Sequence, residues 1–131
     1  MTWPSRHIAI SIDASPDAVI AVAGDPTRLP EWAAGLSSGI RRAGDRWITD
    51  SPMGPVDVSF VGPIPFGILD HDVTLPDGAV VHNPLRVVPN DSGSEVIFTL
   101  FQRPGMTAAD VEADAEAVTA DLVRLKAILE A

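Results

Sequence analysis

Few side chains in this sequence could carry out chemistry, and their scarcity narrows the options. There are three histidines, His7, His71 and His82, and neither cysteine nor tyrosine. Thiolate catalysis, sulfur-ligated metal sites and phenol acid-base chemistry are therefore excluded. No serine stands in a recognisable arrangement with a base. Imidazole remains as the side chain that exchanges a proton near neutral pH, so the first question is which way each histidine faces.

Strand alternation answers it. In Arg6 to Asp13, Ile8, Ile10 and Ile12 share one face, and His7 falls on the opposite, polar face. In Ile68 to Leu75, Leu69, His71, Val73 and Leu75 share one face while Asp70, Asp72 and Thr74 take the other. The apolar companions of His71 make its face the inner one. Leu75-Pro76-Asp77-Gly78-Ala79 suits a type I turn with a glycine bulge. Opposing Leu75 to Ala79 sets Val73 against Val81, His71 against Asn83 and Leu69 against Leu85. In the next hairpin, Glu95 and Thr99 mark an outer face, so Val96, Phe98 and Leu100 point inward. Pairing Val87 with Val96 puts Leu85 beside Phe98 and Asn83 beside Leu100. Both hairpins give the same inner face, and a one-residue slip in either would break the agreement.

His71 and Asn83 are thus expected to oppose each other in an apolar chamber with Leu69, Val73, Val81, Leu85, Phe98 and Leu100. Val56, Val58 and Phe60, at alternate positions, join from the preceding strand, and Trp47 and Thr49 follow through the Ser51–Gly54 turn. Two readings of the central pair stay open. Either it satisfies itself with a buried water, or it contacts a ligand. Trp32 and Trp47 read first as core residues. His82 and Arg86 share the outer face with Asp70 and Asp72, a surface charge cluster. A metal site from His71, His82 and Asp70 fails, because the last two point away from the first; no metal or cofactor is implied.

The element that must close this chamber lies at the end of the chain. Between Thr107 and Ala131, Val111, Ala115, Val118, Leu122, Leu125 and Leu129 recur at steps of four and three, one stripe of an α-helix. Thr107 caps its start, with Asp110 three residues on. Acidic residues crowd its first half and Arg124 and Lys126 its last part, as the helix dipole favours. Leu122 sits mid-stripe and is expected to meet the chamber. Ser15-Pro16-Asp17 opens a short helix ended by Gly24-Asp25-Pro26, and Leu29, Trp32 and Leu36 space a second. The strands are those named above, with Ser38 to Ala43 and Arg46 to Asp50 flanking Gly44-Asp45, and Ala79 to Val88 and Ser94 to Gln102 later. Strands segregated from helices indicate an α+β fold.

Ile10-Ser11-Ile12-Asp13-Ala14-Ser15-Pro16-Asp17-Ala18-Val19, then Asp25-Pro26 with Trp32 following, then the long terminal helix, resemble the START/SRPBCC superfamily in its polyketide cyclase/dehydrase-like branch. The resemblance covers nearly the whole chain. It implies one domain over residues 1–131 in a helix-grip fold: a curved antiparallel sheet of about seven strands around the terminal helix, two short helices after the first strand, and an internal cavity. It implies no universal catalytic motif, since members include lipid and hormone carriers as well as aromatic-ring cyclases.

Composition removes further classes. A net charge of −9 with scattered basic residues argues against nucleic-acid binding. No segment approaches signal-peptide or membrane-span character, so a cytoplasmic protein is expected. The first functional expectation is binding of a hydrophobic small molecule between sheet and helix. The second is a cyclase/dehydratase-like enzyme with His71 as proton carrier, although no inward carboxylate is evident to orient the ring. The third is a partner-binding, co-chaperone-like domain, which would need an exposed apolar patch. Bulky Trp47, Phe60, Phe66 and Phe98 could fill much of the cavity.

Overall fold

A computed structural model describes residues 1–34, 39–51 and 54–131. The expected positions of Gly35, Leu36 and Ser38, and of Pro52 and Met53 in the turn before Gly54, lie outside the described residues. The element order is β1 (Ser5–Ile12), α1 (Pro16–Ala23), a 3-10 turn (Pro26–Arg28), α2 (Leu29–Trp32), β2 (Ile40–Ala43), β3 (Arg46–Ser51) and β4 (Gly54–Phe60). A second 3-10 turn (Ile64–Phe66), β5 (His71–Thr74), β6 (Val80–Asn83), β7 (Leu85–Asn90), β8 (Gly93–Phe101) and α3 (Ala108–Leu129) follow. The chain is α+β with a helix-grip arrangement: two antiparallel sheets, ordered β1-β8-β7 and β2-β3-β4-β5-β6, and a long C-terminal helix.

The registers are those the alternation predicts. His71 pairs with Asn83 and Val73 with Val81; Leu85 pairs with Phe98 and Val87 with Val96. The Leu75–Ala79 turn closes as expected, with Gly78 at φ 89° and the Leu75 N–H donating to the Ala79 carbonyl at 2.8 Å. Eight strands replace the seven expected, because the segment read as one strand from Ala79 to Val88 breaks at Pro84. Proline has no N–H to continue the ladder. Its carbonyl instead accepts from the Thr99 N–H at 3.1 Å, and the chain passes there from one sheet to the other.

A buried carboxylate holds this junction. Asp70, only 6% exposed, accepts from the Leu85 N–H at 3.0 Å and from the Arg86 guanidinium at 2.8 and 2.9 Å. It lies on the outer face, as the alternation requires, yet is not the surface charge the sequence suggests: Arg86 covers it and it serves backbone on the far side of the break. His82 stays exposed and bonds Asp72 at 2.6 Å. Beside the junction, Gly67 sits at φ 81° against β7, where a Cβ would fall 2.3 Å from the Val87 carbonyl oxygen; its own carbonyl accepts from the Val87 N–H at 2.9 Å.

α3 is a 22-residue helix, about 33 Å long. Thr107 and Asp110 form a reciprocal capping box. Its stripe is used within the chain: Ala115, Leu122 and Leu125 are buried, and Val118 and Leu129 pack against the core. Polar contacts fix it along β1, from Arg6 to Glu112 at 2.6 Å at one end to Lys126 on the Ser11 carbonyl at 2.7 Å and Glu130 on the Asp13 N–H at 2.8 Å at the other. Arg124 donates to the Trp32 carbonyl at 3.1 Å, and Asp121 accepts from the Ala34 N–H at 3.2 Å, tying α2 to the same helix. Among the described residues, no helix is long and apolar enough to cross a membrane.

Leu125 is fully buried in this contact. Leu125→Ala is expected to destabilise the fold by about 2–5 kcal/mol in denaturant titrations, and a cost under about 0.5 kcal/mol would mean that the helix does not carry the core. Asp70→Ala leaves the Leu85 N–H without its acceptor and should cost about 1–3 kcal/mol. The hydrogen bond from Arg86, aided by the Leu85 N–H, holds the Asp70 carboxyl below its ordinary pKa of 3.8. The folded state thus releases this proton more readily than the unfolded chain. The stabilisation is present above that value and fades as pH falls below it toward the folded pKa, which acid titration of wild type against Asp70→Ala would measure.

Candidate functional site

Between the sheet and α3 lies a half-open cavity of about 570 Å³. The sheet supplies its floor through the inner positions of β5, β6 and β8; α2 and α3 supply the opposite wall. Of the residues expected to contact ligand, His71, Asn83, Phe60, Val73 and Val81 line it, as do Leu85, Phe98, Leu100 and Leu122. Trp47 does not. It pairs with Val58 on the inner face, but β3 lies two strands from β5, and the Arg42 guanidinium stands 5.8 Å over its ring. Phe66, expected as a possible filler, is 81% exposed at the tip of its 3-10 turn. Trp32 is core, as read, and also part of the wall.

The geometry of the central pair differs from expectation. His71 and Asn83 oppose each other, but neither side chain bonds the other's side chain. His71 Nδ1 lies 3.0 Å from the Leu69 carbonyl oxygen. A carbonyl only accepts, so Nδ1 carries the proton and Nε2 is left with a lone pair. The Asn83 amide nitrogen donates to the Val81 carbonyl at 3.0 Å and points toward the His71 carbonyl at 3.4 Å. Two carbonyl neighbours fix the amide orientation and leave Oδ1 as the outward atom. Phe60 flanks the imidazole with ring centroids 5.5 Å apart. Burial lowers the His71 pKa, against the Leu69 carbonyl and the Asp70 charge, which favour the cation.

The helix wall holds what the sequence reading missed. Asp114 and Asp121 line the cavity from the helix side, Asp114 exposed at its mouth and Asp121 half-buried, joined by Asp110 at the helix start. The sequence reading places Asp110 and Asp114 in the acidic first half of the helix and assigns Asp121 no role. Each stands directly before an apolar stripe residue, Ala115 and Leu122, so each flanks the stripe rather than opposing it. Ala113 and Ala117, also in the wall, leave room beside them. Small residues alternating with aspartates along one flank were the available signal. Burial raises the pKa of both Asp114 and Asp121; nearby Arg103 opposes the shift at Asp114, and the Ala34 N–H and Arg124 oppose it at Asp121. Asp121 is engaged by Arg124 and Ala34, and Asp110 by the capping box. Among the described residues, no carboxylate bonds the His71 ring. Ala113, Asp114 and Ala117 are exposed while Leu122 is buried, so the cavity opens at the N-terminal half of α3 and closes toward its C-terminal half.

The His71 shift predicts a pH effect of definite sign. The folded pKa is depressed from the ordinary 6.5, so as pH falls below that value the unfolded chain takes up a proton that the folded protein refuses. Stability is retained above pH 6.5 and lost below it, by at most about 1.4 kcal/mol per pH unit from this group. His71→Gln should show a correspondingly flatter stability profile between pH 6.5 and 5; an unchanged profile would mean that the ring titrates freely.

Comparison with known proteins agrees with the architecture. The family model for polyketide cyclase/dehydrase and lipid transport proteins matches residues 7–130. No curated protein sequence gives a significant match. Among solved structures, the protein XoxI from Bacillus cereus superposes with a TM-score of 0.74 at 14% identity, covering 95% of this chain and 94% of that one. A protein from Chromobacterium violaceum gives 0.72 at 13% identity, covering 97% and 98% of the two chains. A START superfamily protein from Mycobacterium smegmatis gives 0.67 at 12% identity over 96% and 97%. At such identities the likeness is one of fold, whereas the family match spans nearly the whole sequence: the chain belongs to the polyketide cyclase/dehydrase and lipid transport family of START/SRPBCC-type proteins.

Proposed function

We propose that the protein binds a mainly apolar small molecule between its sheet and α3. The observation that carries this reading is the half-open cavity of about 570 Å³, within the usual range for small-molecule sites and walled mostly by aliphatic and aromatic side chains. The wall residues on the sheet side are the inner positions of a strand ladder, so the cavity is floored by rigid elements rather than loops. The binding unit is the whole of residues 1–131.

A catalytic reading has one specific observation in its favour: the His71 imidazole has its tautomer set and an unprotonated nitrogen without a partner among the described residues. A substrate already primed for aldol ring closure or dehydration would need only such a proton carrier. Against it, no carboxylate among the described residues bonds the imidazole to stabilise its cation.

The binding reading is tested with diphenylhexatriene, a neutral hydrocarbon whose fluorescence rises in apolar surroundings. Wild type should bind it saturably. Val73→Trp and Ala117→Trp place an indole in opposite walls and should weaken binding at least about tenfold, while the folded baseline in circular dichroism is kept. Equal binding by wild type and both variants would place the dye elsewhere and remove the support for this cavity as the site.

A further inference from the structure

The polar atoms left unpaired on the sheet side of this cavity are acceptors. His71 Nε2 has no partner among the described residues and is not a fully buried atom; with Nδ1–H committed to the Leu69 carbonyl, it presents a lone pair. Asn83 Oδ1 is likewise unpartnered and accessible, its amide N–H groups turned to backbone carbonyls. The two residues are directly opposed on the cavity floor. The Asp114 side chain, on the facing helix, has no hydrogen bond or ion pair among the described residues. All three are acceptors at neutral pH.

Donors are scarce by comparison. Trp32 Nε1, in the wall, is a donor without a partner among the described residues, but it is fully buried and offers no surface to a ligand. Arg103 is the basic residue of the wall; it also lines an adjoining cleft of about 280 Å³, and its charge acts on Asp114, which lines both. Asn83 borders that cleft as well; apart from Arg103, the unpaired polar atoms that the described residues turn to this cavity are therefore acceptors.

Resting on the binding reading above, we infer that this cavity selects apolar ligands bearing a hydroxyl donor, an alcohol or a phenol, and orients that hydroxyl toward His71 Nε2 and Asn83 Oδ1. The Leu69 carbonyl is the positioning group: by fixing the proton on Nδ1 it makes the inward nitrogen an acceptor. A ligand whose polar end is a ketone or an ether brings an acceptor to acceptors, displaces their water and returns no hydrogen bond. The same apolar body with a hydroxyl satisfies one of them.

The probe pair is 2-naphthol and 2-methoxynaphthalene, which differ in the donor and one methyl group. Isothermal titration of wild type at pH 7.5 should show 2-naphthol binding at least about tenfold more tightly. A double variant, His71→Phe with Asn83→Leu, keeps the floor filled and apolar, and should bind both compounds with affinities equal within about threefold. Its fold is checked by circular dichroism. The single variant Asn83→Leu, which leaves the His71–Leu69 bond in place, should keep part of the preference if the double variant does not fold. Equal binding of the two compounds to wild type overturns donor selection and leaves the apolar cavity standing. Binding of neither overturns both. A preference for the naphthol that survives unchanged in the variants places the selecting group elsewhere and overturns the assignment to His71 and Asn83.

Discussion

The arrangement of this protein depends on one buried carboxylate. Asp70 bonds the Leu85 N–H and the Arg86 guanidinium across the point where Pro84 interrupts the strand ladder. Without a bond of that kind, a break in the middle of a hydrogen-bonded strand leaves a buried N–H unsatisfied. With it, the two sheets can diverge and still be held at a defined distance. Their divergence creates the space that α3 only partly fills. The same residue sits between Leu69, whose carbonyl sets the His71 tautomer, and His71 itself. Fold and site therefore share one strut.

The helix performs two tasks on adjacent flanks. The Val111-to-Leu129 stripe is buried against β1, β8 and α2, where apolar area leaving water stabilises the fold. The neighbouring flank carries alanine and aspartate toward the cavity. Burying that flank as tightly as the stripe would remove the cavity and strand the carboxylates without water. A helix that is sealed on one side and open beside it needs long polar anchors at its ends, which Glu112, Lys126 and Glu130 provide through Arg6, Ser11 and Asp13. Such exposed contacts contribute little energy each; their role is to fix where the helix lies along β1.

The site is chemically spare. It has an imidazole, an amide and an apolar floor, with charge on the α3 aspartates and on Arg103 just before the helix. Burial disfavours the imidazolium, so the resting cavity is suited to recognition by shape and hydrogen-bond polarity more than by charge. This accords with a family in which carriers and cyclases share one architecture, since a cavity that positions a reactive chain is already most of what an uncomplicated ring closure requires.

Much of this was legible in the residues. The inner face of the central hairpins, the His71–Asn83 opposition and the helical stripe follow from period-two and near-3.6 alternation, and the Leu75–Ala79 and Thr107–Asp110 motifs from turn and cap chemistry. These are local rules, satisfied or violated within a few residues. Where the outcome required knowing how separate segments meet, the pattern was silent or misleading. Asp70 reads as a surface charge until Arg86 folds over it, Trp47 as a cavity residue until the strand count separates it from β5, and nothing ties Asp114 and Asp121 to the cavity until α3 is set on the sheet at a particular rotation. The proton on His71 was decided last of all, by the direction of a backbone carbonyl two residues away. Side-chain periodicity reports which face a residue takes; the carbonyl directions, the break at Pro84 and the rotation of the helix are set by tertiary packing, and they decide what each face can do.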